Sequence, residues 1–109
     1  MLDKQYELQM EDTLKKMDEW TLVQISTPTC GPCITAKREL EKGFFLPYKY
    51  IDATKQDIEK YRRVTKIHGV PHFFIERGFQ TISIGSGYGS KERLQDKIKE
   101  IIESENQPN

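Results

Sequence analysis

The four residues Cys30-Gly31-Pro32-Cys33 constrain what this chain can fold into more than any other stretch. They contain both of its cysteines. Directly before them, Thr21-Leu22-Val23-Gln24-Ile25-Ser26-Thr27 is β-branched and apolar and reads as a buried strand. Directly after them, Ile34 to Lys42 has no Gly or Pro and reads as a helix, stopped by Gly43. A cysteine pair between a strand and a helix reads as a redox motif and not as half of a metal knuckle. A helix N-terminus carries partial positive charge and unpaired N–H groups, which favour a thiolate and lower the pKa of the first cysteine. Pro32 suits the first helical turn, where its missing N–H costs nothing.

Two bland readings stand beside this one: a pair of inert buried thiols, or half of a zinc site. Zinc takes four ligands, and the only further soft candidates are His68 and His72. Their spacing superficially resembles the second half of a zinc finger, but the strand and helix between them and the cysteines do not match one. No metal is therefore expected.

Charge and length narrow the class. The chain has 109 residues, enough for one domain with a real core, and 1–109 is read as a single domain with a frayed polar tail over 104–109. Seventeen Lys and Arg balance seventeen Asp and Glu, so the basic excess of a general nucleic-acid binder is missing. No run approaches the length of a membrane span. Met1 to Glu7 lacks the apolar segment of a signal peptide, so a cytoplasmic location is expected. In a reducing compartment a structural disulfide is disfavoured, which leaves catalysis or metal binding for the cysteines.

Along the chain, Tyr6, Met10, Leu14 and Met17 fall at helical spacing and predict a helix over 6–18, although Tyr6, Leu8 and Met10 also alternate as a short strand would, and Leu2 to Gln5 offers only a stub of a first strand. After the motif helix, in which Ala36 and Leu40 should face inward, Tyr48 to Asp52 reads as a strand parallel to Thr21–Thr27. Asp57 to Lys66 predicts a helix with Ile58, Tyr61 and Val64 on its buried face. Phe73-Phe74-Ile75 is the next strand, Glu76 to Phe79 a hairpin turn with Gly78 free to take positive φ, and Thr81 to Ile84 the returning strand. Gly85, Gly87 and Gly89 mark a loop, Ser90 a helix cap, and Leu94, Ile98, Ile101 and Ile102 the apolar stripe of the last helix.

Cys-Gly-Pro-Cys after a buried strand, with Val70-Pro71 further along, resembles the thioredoxin family from about Met10 to Ile102. The resemblance implies an α/β fold, thioredoxin-like, with a central mixed four-stranded sheet whose family-typical first strand is short or absent here. Helices should flank it on both faces. It implies a protein-disulfide reductase with no cofactor beyond a reversible Cys30–Cys33 disulfide. Cys30, at the strand–helix corner, would attack a target disulfide, and Cys33, one turn inward, would resolve the mixed disulfide. The two-residue spacer lets the Cα atoms fall within the roughly 4.4–6.8 Å that a disulfide needs. Thr29, Gly31, Pro32, Val70 and Pro71 would form the substrate surface, with Pro71 after a cis bond and the Val70 backbone free to pair with an extended substrate. Implied partners are protein disulfides and a recycling enzyme such as thioredoxin reductase. A monomer is the default, since no helix shows an extra apolar face.

The chain also leaves the family pattern. Thr29 stands where thioredoxins usually carry tryptophan, Gln24 replaces a buried aspartate that assists the second thiol, and Tyr48 falls where a partner lysine is common. These departures keep two alternatives open. One is a non-catalytic binding module on the same fold. The other is a glutaredoxin-like enzyme using glutathione, for which Lys37 and Arg38 are the nearest cations. His72, after the proline, reads as a packed or solvated histidine, and His68 as exposed. An amide cannot accept a proton at neutral pH. Restoring the acid with Gln24→Asp is therefore expected to accelerate turnover near neutral pH in a disulfide-reduction assay; an unchanged rate would sink this explanation.

Overall fold

The computed structural model describes residues 20–106. The helix expected over 6–18 and the strand stub before it lie outside the described residues.

Four strands form one mixed sheet in the order β2-β1-β3-β4: β1 (Thr21–Ser26), β2 (Tyr48–Asp52), β3 (His72–Arg77) and β4 (Gln80–Ser86). Every residue of β1 from Leu22 to Ser26 is buried, as a strand paired on both sides and covered on both faces requires. Its partner β2 runs parallel, with Leu22 opposite Tyr48 and Ile25 opposite Ile51. On the other side β3 runs antiparallel, with Val23 opposite Phe74. The parallel pair is linked by helix α1 (Gly31–Lys42), the crossover that such a pair demands.

Alternation along the strands divides the core in two. One layer contains Leu22, Phe73, Ile75 and Ile84 from the sheet, packed on Ala36 and Leu40 of α1 and on Leu94, Ile98 and Ile102 of helix α3 (Lys91–Asn106), with Trp20 beside them. The other contains Val23, Ile25, Ile51 and Phe74, covered by Ile58 and Tyr61 around the short helix α2 (Glu59–Arg62). Helices thus lie on both faces, as the sequence pattern implied.

Among the boundaries that differ from the sequence reading, four matter most. First, α2 is four residues long and does not fill the span Asp57–Lys66. Asp57 Oδ1 accepts the Glu59 N–H at 2.9 Å and holds the approach as a turn, and after Tyr61 the chain bends so that Val64 is exposed. Ile67, not Val64, completes the packing on that face. What retains so short a helix is its contact with β3: Lys60 Nζ and Tyr61 Oη both donate to Glu76 Oε2, at 2.8 and 3.0 Å.

Second, Glu76 and Arg77 remain in the ladder, with Arg77 opposite Gln80, so the β3–β4 turn shrinks to Gly78-Phe79. Gly78 takes φ +54°, a conformation that favours glycine. Third, Gly85 belongs to β4. Phe73 pairs with Gly85 and Phe74 with Ser83, which leaves Ile84 as the extra residue of a bulge. Fourth, the helical span of α3 runs on to Asn106. Ser90 does cap it, its Oγ accepting the Arg93 N–H at 3.2 Å.

Burial predicts a contrast between two phenylalanines a few residues apart. Phe73 is 1% exposed between α1 and α3, whereas Phe79 at the hairpin tip is fully exposed. Phe73→Ala should cost about 3–5 kcal/mol in urea unfolding. Phe79→Ala should stay within about 0.5 kcal/mol of the parent. Equal losses would contradict this assignment of the core.

Candidate active site

The end of β1 delivers the chain to the cysteine pair through a turn in which the Cys30 N–H donates to the Thr27 carbonyl at 3.3 Å. Cys30 is the N-cap of α1, with extended backbone angles (φ −85°, ψ 112°). Its Sγ takes the place of the usual capping oxygen and accepts the Cys33 N–H at 3.2 Å. Pro32 occupies the first turn, where no N–H is needed.

Cys30 and Cys33 form a disulfide, with Cα atoms 5.2 Å apart. The two sulfurs differ in access. Cys33 is fully buried, Cys30 is half-buried, and Thr29, Gly31 and Pro32 around it are exposed. An incoming sulfur can therefore reach Cys30 and not Cys33.

Val70-Pro71 is brought against this corner, and the bond between them is cis. The Cys30 sulfur lies 3.5 Å from the Val70 carbonyl oxygen. The two contacts of Cys30 act in opposite senses once the disulfide opens. The Cys33 N–H favours a thiolate, while the Val70 carbonyl accepts from a thiol S–H.

Among the described residues, Gln24 is the polar group that touches the second cysteine. It is fully buried and every contact is made: Nε2 donates to the Cys33 carbonyl at 3.0 Å and to Ser26 Oγ at 2.8 Å, and Oε1 accepts from Tyr48 Oη at 2.6 Å. Burial, with the nearby Glu41 charge, pushes the Tyr48 phenol well above its ordinary value, so it remains a neutral donor. The amide thus ties β1, β2 and α1 together without a buried charge. An aspartate at position 24 would supply a base but no N–H for the Cys33 carbonyl. Any gain in rate there accompanies a loss of hydrogen bonding.

The loop bearing Val70 is held from β4, a connection that the sequence reading did not find. The Gly87 N–H donates to the Pro71 carbonyl at 2.8 Å, and Ser86 Oγ to the Gly69 carbonyl at 3.3 Å. His72 sits behind the loop, 5% exposed, stacked on Phe74 with ring centroids 4.7 Å apart. Its Nδ1 is 2.9 Å from Ser86 Oγ and its Nε2 is 2.8 Å from Ser83 Oγ. Both ring nitrogens therefore have a serine hydroxyl as hydrogen-bond partner. The packed reading of His72 holds, and His68 is exposed as expected. The glycine cluster after β4 was the available signal for this clamp, but nothing in the sequence pairs Ser86 with Gly69.

No protein-family model matches the chain, and no curated protein sequence matches it. Solved structures do. The chain is similar to a mutant thioredoxin from Halobacterium salinarum NRC-1, at 17% identity and TM-score 0.59 over 91% of this chain and 85% of that one. It is similar to chloroplastic thioredoxin z, at 23% identity and TM-score 0.58 over 88% of each chain. It also matches mitochondrial thioredoxin 3 of Saccharomyces cerevisiae, at 24% identity and TM-score 0.55 over 85% of this chain and 89% of that one. The chain has a thioredoxin-like fold, with a Cys-X-X-Cys disulfide at the strand–helix corner.

His72 yields a pH prediction. Burial lowers its pKa below the ordinary value, and the charges of His68 and Lys97 lower it further. The unfolded chain then binds the proton more readily than the folded one. This contribution to stability is complete above the ordinary histidine value of ~6.5 and is lost as pH falls from there through the folded pKa. His72→Gln should flatten the wild-type decline in stability between about pH 7 and 5. Parallel curves for the two proteins would refute the assignment.

Proposed function

We propose that this protein is a dithiol–disulfide oxidoreductase that reduces disulfides in other proteins. The observation that carries the reading is the asymmetry of the pair: Cys30 is reachable and capped by the Cys33 N–H, while Cys33 is fully buried behind it.

In the reduced state the Cys30 thiolate attacks one sulfur of the target disulfide, and the other target sulfur leaves as a thiolate. The product is a mixed disulfide through Cys30. Cys33 Sγ attacks Cys30 Sγ, and its proton passes to the second target sulfur, which leaves as the thiol. Two electrons pass to the target, and the Cys30–Cys33 disulfide is the oxidised product. Thr29, Gly31 and Pro32 form one side of the docking surface and Val70-Pro71 the other. A target segment pairs with the Val70 backbone as an added strand. A separate reductase, such as thioredoxin reductase, returns the pair to the dithiol.

Of the two cations nearest the motif, Arg38 is exposed and Lys37 is held within the chain. Lys37 pairs with Glu41 at 3.7 Å and lies 4.6 Å from the Tyr50 ring centroid, so it is engaged within the chain. No metal or organic cofactor enters the reaction.

Reduction of insulin with a small dithiol as electron source tests the proposal. Wild type should exceed the dithiol background, Cys30→Ser should fall to it, and Cys33→Ser should accumulate as a mixed disulfide with its target. Background rates in all three proteins would overturn the reductase reading.

A further inference from the structure

Beside the Val70-Pro71 loop, a cleft of about 110 Å³ opens between the end of β4 and the first turns of α3. Its floor is apolar, formed by Phe73, Ile84 and Leu94, and its rim carries Arg93 and Lys97. These two cations are folded back over the glycine loop. A Cβ on Gly85 would meet Lys97 Nζ at 3.2 Å, and one on Gly89 would meet Arg93 Nη1 at 3.6 Å. Among the described residues neither side chain has an ion-pair partner, and the carboxylate nearest the cleft wall, Glu39, accepts from Tyr88 Oη at 2.8 Å.

The cleft adjoins the loop that bears Val70. Ser86 and Gly87, which line it, bond directly to the Gly69 and Pro71 carbonyls on either side of Val70. Val70 in turn touches the Cys30 sulfur. A target segment paired with Val70 advances ~3.3 Å per residue, so its residues within three of the pairing point lie within about 10 Å of Val70 along the strand. The formal net charge of the whole chain is zero, so this is a local field and not a general attraction for anions.

Resting on the reductase reading above, we propose that this cleft selects targets with an acidic side chain close to the reacting cysteine. A glutamate fits it in two parts. Its methylenes lie on the apolar floor, and its carboxylate meets Arg93 and Lys97.

The test uses disulfide-bonded peptides identical except at one position, taken in turn from three residues before to three residues after the reacting cysteine, bearing Glu, Gln or Lys. Single-turnover reduction by the dithiol protein is measured at low salt. At one position at least, rates should fall in the order Glu, Gln, Lys, with Glu exceeding Lys by roughly 3- to 10-fold, the range that two partly exposed ion pairs supply. The difference should close in high salt. Arg93→Glu combined with Lys97→Glu should reverse the order, and Arg93→Gln with Lys97→Gln should flatten it, each variant first checked for native circular dichroism. Equal rates for the three peptides at every position, or a glutamate preference that persists in the neutral double variant, overturns this proposal and leaves the reductase reading standing. If wild type reduces none of the peptides, the reductase reading fails and takes the proposal with it.

Discussion

The hydrogen bond from the Cys33 N–H to Cys30 Sγ is the interaction on which the rest of the site depends. The first N–H groups of a helix have no partner within it and must find one. Here the partner is sulfur, and the need of the helix becomes a property of the cysteine. A negative charge on Cys30 strengthens that bond and lies at the positive end of a twelve-residue helix. The sheet fixes where this happens. Because β1 is central and paired on both sides, the point at which it hands over to α1 cannot shift without disturbing β2 and β3 together.

Gln24 shows how the interior beneath the pair tolerates polar groups. A carboxylate buried there would need a cation or several donors, since an unpaired buried charge is far more costly than an unpaired amide. The amide meets a phenol, a hydroxyl and a backbone carbonyl, and all of its contacts are neutral. Gln24 and Tyr48 therefore form a matched pair. Together they hold the Cys33 backbone in place while providing no base.

The other half of the site is stabilised from behind. The Val70-Pro71 loop has no regular structure of its own, yet the Gly87 N–H and the Ser86 hydroxyl fix the carbonyls on either side of Val70. His72 links that clamp to Ser83 in the middle of β4. Ser86 and Gly87, which hold the loop, also line the cationic cleft at the β4–α3 junction.

How much of this was legible in the sequence follows from the range of the interactions. Cys30 and Cys33, the flanking strand and helix, and the α/β layering are set by near neighbours and by periodicity, and all were readable. The conspicuous residues Gln24 and Tyr48 were visible as departures, but not as partners. The bond between them joins residues on different strands, and its existence depends on the parallel register of β1 and β2. The short α2 was misread because Val64 has the spacing of a core residue, and spacing does not show that the chain bends after Tyr61. Likewise Ser86, Gly87, Arg93 and Lys97 look like ordinary loop and surface residues until β4 is laid against β3. The sequence by itself determined the reactive corner, because strand, cysteine pair and helix are contiguous and their chemistry is local. Only the tertiary structure decided what surrounds that corner, because those contacts join residues far apart in the chain and require the strand order and register that packing selects.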